Sequence, residues 1–382
     1  MRVHKLAIFV SHPIQYQAPL FRVISGDKRI ESVVYFAGRG ATEEAYDSEF
    51  GRKIKWDIPL LDGYKHVFLG SKFELPKIIL AGKGKADAVL VFGWNSLGTL
   101  LVCLAAILSG TPILMRSESP LNQELLKTDF SQNVKRMFLR TLFKFISAFL
   151  YIGEENRKFY KYLGVPDAKL FFASYAVDNA RFIGEAEVLS VRKNALRKEE
   201  GIPAGARVVL FVGKLILKKR PMDLLRAYAD LSIEDKALIF VGDGALRLEL
   251  ERYVKEKDLG NVFFFGFKNQ TEIGKYYAMS DVFVLPSGAG ETWGLVVNEA
   301  MCFSLPIMVS DVVGCGFDLV RSGLNGGIFK LGDIGSMTLL LEDILKSGRA
   351  HSMGKSSLDI VKKYSFVQDL EGLLSALEWV QK

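Results

Sequence analysis

Short apolar runs alternate with longer amphipathic segments along the whole chain. In the first half the runs lie at 6–10, 33–36, 88–92, 113–115 and 148–152; in the second, at 208–212, 237–241, 262–264, 282–285 and 306–309. Runs of this length separated by helical patterns predict an α/β protein with parallel sheets. A polar helical stretch, 185–200, followed by Gly201-Ile202-Pro203-Ala204-Gly205, reads as a boundary. The expected organisation is an N-terminal Rossmann-like domain over 1–185, a linker over 186–204 and a second Rossmann-like domain over 205–360. A helix over 361–382 is expected to pack back toward the first domain. The longest apolar stretch, 97–108, carries no charge. It falls short of the ~20 residues needed to span a bilayer and is expected to be a buried helix.

A chain of 382 residues with 49% hydrophobic and 24% charged positions can bury two cores, which excludes a disordered tail protein or a small disulfide scaffold. Its three cysteines, Cys103, Cys302 and Cys315, are far apart and form no C-x-x-C pair. That speaks against a disulfide framework or a zinc ribbon and for a cytoplasmic protein. The N-terminus has a basic start, but its apolar run 6–10 breaks at His12-Pro13, so it reads as a first strand rather than a signal peptide. The net charge of +7 is unevenly spread: residues 1–185 hold 25 Lys and Arg against 18 Asp and Glu, and residues 186–382 hold 25 against 25. The excess suggests an anionic partner for the first half.

In doubly wound folds, ligands bind beyond the carboxyl ends of the strands, so chemistry is sought in the loops that follow them. After 208–212 comes Gly213-Lys214-Leu215-Ile216-Leu217-Lys218-Lys219-Arg220-Pro221, then a helix beginning near Met222. Cations on a strand-to-helix loop are suited to phosphates, although a solvated basic turn has the same composition. After 282–285 comes Pro286-Ser287-Gly288-Ala289-Gly290-Glu291-Thr292-Trp293-Gly294-Leu295-Val296-Val297-Asn298-Glu299-Ala300. Its glycines let backbone amides approach a ligand, and its two acids, eight positions apart, suit sugar hydroxyls. The structural alternative is a capping acid at Glu291 and a solvated Glu299.

These residues carry a resemblance. The second half resembles the donor domain of the retaining glycosyltransferases of family 4, which have the GT-B fold and an E-x7-E motif of this form. The likeness extends through Val241-Gly242-Asp243-Gly244, Phe265-Gly266-Phe267, Ser280-Asp281-Val282, Ser310-Asp311 and Asn325-Gly326-Gly327. It implies two Rossmann-like domains facing each other across a cleft. It also implies that Lys214 and Lys219 grip a donor diphosphate, with the amides of Gly294, Leu295 and Val296 beside it. Glu291 would bind the transferred sugar and act catalytically, Glu299 the ribose, and Gly266, Phe267 and Lys268 the nucleobase. Lys214 departs from the family's usual Arg, exchanging a bidentate fork for a point charge. Trp293 stands where Phe is expected, as packing or as a lid.

His12-Pro13-Ile14-Gln15-Tyr16-Gln17 follows the first strand, and similar openings occur in this glycosyltransferase group. His12 is then a candidate for handling the acceptor proton, against the plain reading of a structural turn, and Gln15 and Tyr16 are candidate cleft residues. Arg116-Ser117-Glu118 follows another strand. Arg116 is placed to meet a phosphate and Glu118 to act on the acceptor, or the two form a buried ion pair with each other. Over 131–152, Val134, Phe138, Leu142, Phe145 and Phe149 share one helical stripe, and Arg136, Arg140 and Lys144 another. An ordinary core-facing helix is weighed against a basic amphipathic helix resting on anionic lipid.

No D-x-D occurs in the chain, which fits an enzyme needing no metal and no other cofactor. The resulting expectation is a retaining transferase. It would move sugar from a UDP- or GDP-sugar to a hydroxyl of a glycan or lipid-linked acceptor in cell-surface polysaccharide or lipopolysaccharide synthesis. Contact with the inner face of the cytoplasmic membrane, but not with nucleic acid, goes with that expectation. The competing functions are a sugar-nucleotide 2-epimerase of the same architecture and a non-catalytic sugar-nucleotide-binding protein. A dehydrogenase is disfavoured, because Val241-Gly242-Asp243-Gly244 lacks the complete dinucleotide fingerprint.

Overall fold

Strands β1 (His4–Val10), β2 (Ile30–Phe36), β3 (Ala45–Asp47), β4 (Arg52–Ile54), β5 (His66–Phe68), β6 (Ala88–Phe92), β7 (Ile113–Arg116), β8 (Ala148–Tyr151) and β9 (Leu170–Phe172) form in the first half. The second half supplies β10 (Arg207–Val212), β11 (Lys236–Val241), β12 (Val262–Phe264), β13 (Val282–Leu285), β14 (Ile307–Ser310) and β15 (Gly326–Phe329). This computed structural model describes all residues except Met1, Glu43, Phe50 and 82–85, together with the side chains of Ala41 and Ala45. The chain divides into two units: Met1–Ala45, Ile58–Ala176 and Tyr364–Lys382 form the first, and Tyr46–Asp57 with Val177–Lys363 the second.

The first unit holds a seven-stranded sheet in the order β5-β2-β1-β6-β7-β8-β9, paired in parallel throughout. Residues Leu6 to Val10 of β1 are buried on both faces, because helices cover both sides of a parallel sheet. Phe149 of β8 packs between Phe143 and Tyr160, with ring centroids 4.9 and 4.8 Å away. Helix Phe366–Trp379 belongs to this unit and buries Leu373, Leu374 and Leu377. Two helices depart from expectation. Leu97–Ser109 is a surface helix that buries Val102, Cys103 and Ala106 while exposing Leu97, Leu104 and Leu108. Helix Phe130–Lys144 ends before Phe149, and it buries Leu139 and Phe143. The stripe expected to face the core lies about 120° round the helix from that pair, so Val134 and Phe138, and Phe145 just beyond the helix end, stay 45%, 47% and 55% exposed.

The second unit holds a six-stranded parallel sheet in the order β12-β11-β10-β13-β14-β15. Counted within the unit this is 3-2-1-4-5-6, the dinucleotide-binding order with a switch point between its first and fourth strands. Residues 186–204 are not a linker. Helices Asn179–Ser190 and Lys193–Glu199 are part of this unit, which begins at Val177. Arg197 and Lys193 clamp Asp281 at 2.8 and 2.7 Å, and Asp281 also accepts the Val208 N–H at 2.7 Å. The polar composition of this stretch reflects ion pairs to strand starts. Strands β3, β4, β5, β9 and β15 were not read from the sequence: each has only three or four residues, and β15 opens on two glycines. Among the described residues no helix is long and apolar enough to cross a membrane.

Candidate functional site

The switch point of the second unit lies between β10 and β13, and the loops leaving these two strands carry the expected donor residues. The loop after β10 tightens into a turn at Leu217–Lys219, Arg220 takes a left-handed conformation (φ 51°), and Pro221 opens the next helix. Among its cations, Arg220 is engaged by Asp223 and Lys219 by Glu291. Glu291 also accepts the Ser287 hydroxyl at 3.1 Å and is 8% exposed. It is therefore a buried ion-pair partner rather than a helix cap. Gly294 caps helix Leu295–Cys302 with φ 98°, which favours glycine, and the helix start directs backbone N–H groups outward at 294–296.

Glu299, on that helix, is 1% exposed and accepts the Tyr277 hydroxyl at 2.6 Å and the Gln270 amide at 3.5 Å, so the solvated alternative fails. Trp293 is packing: it is 3% exposed, and its indole N–H donates to Asn298 Oδ1 at 2.9 Å. Three loop starts lie against one another. A Cβ added to Gly242 (φ 140°) would fall 1.9 Å from the Gly213 carbonyl oxygen, and the Gly242 N–H donates to the Gly266 carbonyl at 2.8 Å. Only a glycine allows this approach, which holds the Lys214 loop beside Gly266-Phe267-Lys268.

Lys214 and Phe267 have partners the sequence did not indicate. Lys214 Nζ lies 3.0 Å from Asp47 and 2.6 Å from Glu49. The Phe267 ring packs against Trp56 at 6.1 Å, and the Arg52 guanidinium sits over it at 5.5 Å. Lys268 is 3.9 Å from Glu272. Asp47, Glu49, Arg52 and Trp56 belong to the first half of the sequence but to the second unit, and no local spacing links them to positions 214 or 267.

In the first unit, His12 is half-buried with Nδ1 3.0 Å from the Ser11 hydroxyl, and its ring leaves no room for a side chain at Gly40. Gln15 and Tyr16 are half-buried in the same loop. Arg116 and Glu118 do not pair with each other. Arg116 is 3% exposed and donates to both Asp369 oxygens at 2.7 and 2.6 Å, which removes it as a phosphate ligand. Burial works against the charge on Arg116, but the Asp369 carboxylate outweighs it and raises the guanidinium. Glu118 instead accepts the Tyr175 hydroxyl at 2.7 Å. Burial and the Glu118 charge push the Tyr175 phenol well above its ordinary value, so it remains a hydrogen-bond donor to Glu118. The three cysteines are free and buried, and burial holds the Cys103 thiol up at about 12.

Residues 192–358 match the family described as glycosyl transferases group 1. The chain is 29% identical over 163 residues to the sulfoquinovosyl transferase of Arabidopsis thaliana, covering 42% of this chain and 31% of that one. It is 28% identical over 183 residues to the N-acetyl-alpha-D-glucosaminyl L-malate synthase of Bacillus anthracis, covering 47% of each. The chain thus spans less than half the length of these two relatives. Among solved structures, Anabaena HepE in complex with UDP and glucose superimposes with a TM-score of 0.73 at 16% identity, covering 98% of this chain and 99% of that one. The match to group 1 glycosyl transferases thus takes in the Lys219–Glu291 pair and Glu299, and the chain has the fold of the GT-B glycosyltransferases.

Proposed function

We propose that the protein is a retaining glycosyltransferase that needs no metal and transfers sugar from a UDP- or GDP-sugar to a hydroxyl of a glycan or lipid-linked acceptor. The observation that carries the reading is the ion pair of Lys219 and Glu291 at the switch point, a cation and an acid joined at the mouth of the sheet. The diphosphate would lie against Lys219, Lys214 and the helix start at Gly294, Leu295 and Val296, which stabilise the charge that develops as the glycosidic bond breaks. Glu291 would then be free to hold the sugar hydroxyls, and Glu299 the ribose. No carboxylate is assigned as covalent nucleophile. The acceptor hydroxyl attacks from the side of the leaving group, and the departing phosphate takes its proton. His12, Gln15, Tyr16 and Glu118 are the residues of the first unit assigned to the acceptor. The HepE complexes with UDP and with UDP-glucose support a nucleoside diphosphate sugar as donor.

Peripheral contact with an anionic membrane, in surface-polysaccharide assembly, is part of the proposal. Helix Phe130–Lys144 exposes Phe130, Val134, Met137 and Phe138, and Leu125 and Leu126 are exposed before it. Glu124 is buried and bound to Lys135 and Arg136, while Arg140 and Lys144 remain on the surface. An apolar face flanked by cations is complementary to anionic lipid. Purified protein given UDP- and GDP-sugars is expected to release nucleoside diphosphate only when an acceptor is added. Release is expected to continue in EDTA, and the product should keep the donor's anomeric configuration. Conversion of the donor to its 2-epimer, or binding without turnover, would refute the transferase reading.

A further inference from the structure

The chain leaves its first unit after Ala45, contributes Tyr46–Asp57 to the second, and returns at Ile58. This excursion is built as a hairpin of β3 and β4, and its two ends meet two different parts of the donor site. At one end the Asp57 carboxylate accepts the backbone N–H groups of Gln270 and Thr271, each at 3.1 Å, and the Thr271 hydroxyl. Asn269 donates from its side-chain amide to the Lys55 carbonyl at 2.7 Å. The segment that follows the base loop 266–268 is thus held by a charged acceptor from outside its own half of the sequence. Gln270 passes the constraint on: Arg181 grips its carbonyl and side-chain oxygens at 2.9 and 2.7 Å, and its amide reaches Glu299 at 3.5 Å. At the other end, Asp47 and Glu49 hold Lys214.

We infer that this hairpin is a working part of the donor site: Asp57 is a positioning residue for the base and ribose loops, and Lys214 exchanges Asp47 and Glu49 for the donor diphosphate. The inference rests on the donor reading of the second unit. A hairpin with only a structural task has no need to direct two carboxylates at one ammonium on the switch-point loop. Two carboxylates present the charge and oxygen geometry that a diphosphate presents, so the same ammonium can pass from one to the other. The side chains of Asp47 and Glu49 are 33% and 57% exposed, and ion pairs so exposed are weak enough to exchange. Asp57, with three bonds to one turn, is the fixed end.

The test is calorimetric titration of the full chain with UDP, GDP and ADP, alongside donor kinetics, circular dichroism and thermal melting. Asp57→Ala is expected to weaken binding of the preferred nucleotide about tenfold and to raise the donor KM more than it lowers kcat, since the Thr271 N–H and hydroxyl lose their acceptor and Gln270 keeps only the Asn269 side-chain oxygen. Asp57→Asn should recover part of the loss. The double variant Asp47→Asn, Glu49→Gln is expected to bind the nucleotide roughly threefold more tightly, because the competing carboxylates are gone. If Asp57→Ala does not fold, Thr271→Val, which removes one of the three bonds, carries the same expectation at smaller size. Wild-type affinity in a folded Asp57→Ala, or unchanged or weaker binding in the double variant, would overturn this inference while leaving the donor site standing. A wild-type protein that binds none of the three nucleotides would overturn both.

Discussion

Lys219 and Glu291 have side chains only 16% and 11% exposed, so each is the main compensation for the other's charge. Lys219→Ala is expected to leave the Glu291 carboxylate poorly hydrated, lowering stability by about 1–3 kcal/mol in urea melts and abolishing measurable transfer. Glu291→Gln should keep the fold and lose transfer. If both variants transferred at wild-type rates, the site would lie elsewhere. Both residues were legible in the sequence because each follows a recognisable strand at short range. Their mutual bond was not, since it joins positions 219 and 291. The same holds for Glu299, whose partners Tyr277 and Gln270 lie on other segments and turn a position that could have been solvated into a buried acceptor.

At the level of elements, the stretch read as a linker shows how polar composition misleads. Lys193 and Arg197 are polar because they bind one half-buried acid, Asp281, beside the start of β13. Burial pushes the Asp281 carboxyl up, but those two charges and the Val208 N–H outweigh it and hold it below its ordinary 3.8. A carboxyl depressed in the folded state adds stability above its unfolded value, and that stability is lost as pH falls through the folded value. Acid unfolding of the second unit is therefore expected to set in below about pH 4. Asp281→Asn should be less stable at pH 7 and show a smaller loss between pH 5 and pH 3, measured by urea denaturation at each pH. An equal slope in both proteins would show that other carboxylates carry the acid sensitivity. Helix Phe130–Lys144 makes the complementary point: its 3.6-residue period was readable, but which stripe faces the sheet was not.

At the scale of the molecule, the first unit closes only when the last residues of the chain return to it. Arg116 at the end of β7 and Asp369 on the C-terminal helix form a buried ion pair in which Arg116 Nη1 donates to both carboxylate oxygens. Arg116→Ala is expected to cost about 3–5 kcal/mol by stranding the acid, whereas Arg116→Met with Asp369→Leu should recover most of it. A double variant no better than the single one would mean that the pair does more than neutralise itself. The charge excess also follows the units: the first holds 22 Lys and Arg against 16 Asp and Glu, the second 28 against 27. Binding to vesicles containing phosphatidylglycerol, but not to phosphatidylcholine alone, is expected, and Phe130→Ser with Phe138→Ser should abolish it without changing nucleotide affinity. Retention of vesicle binding by that variant would move the contact to another face.

By itself the sequence determined the two parallel-sheet domains, ten of the strands, and the loops that bring Lys214, Lys219, Glu291 and Glu299 to strand ends. Each of these is written in contiguous residues, as a buried apolar run or a glycine-bearing loop directly after one. Only the tertiary structure decided that Tyr46–Asp57 joins the second unit, that Arg116 answers to Asp369 rather than to Glu118, and that Val134 and Phe138 of helix Phe130–Lys144 face solvent. Those outcomes depend on pairings between residues tens to hundreds of positions apart, chosen by packing and charge compensation, and such pairings leave no local period or spacing to read.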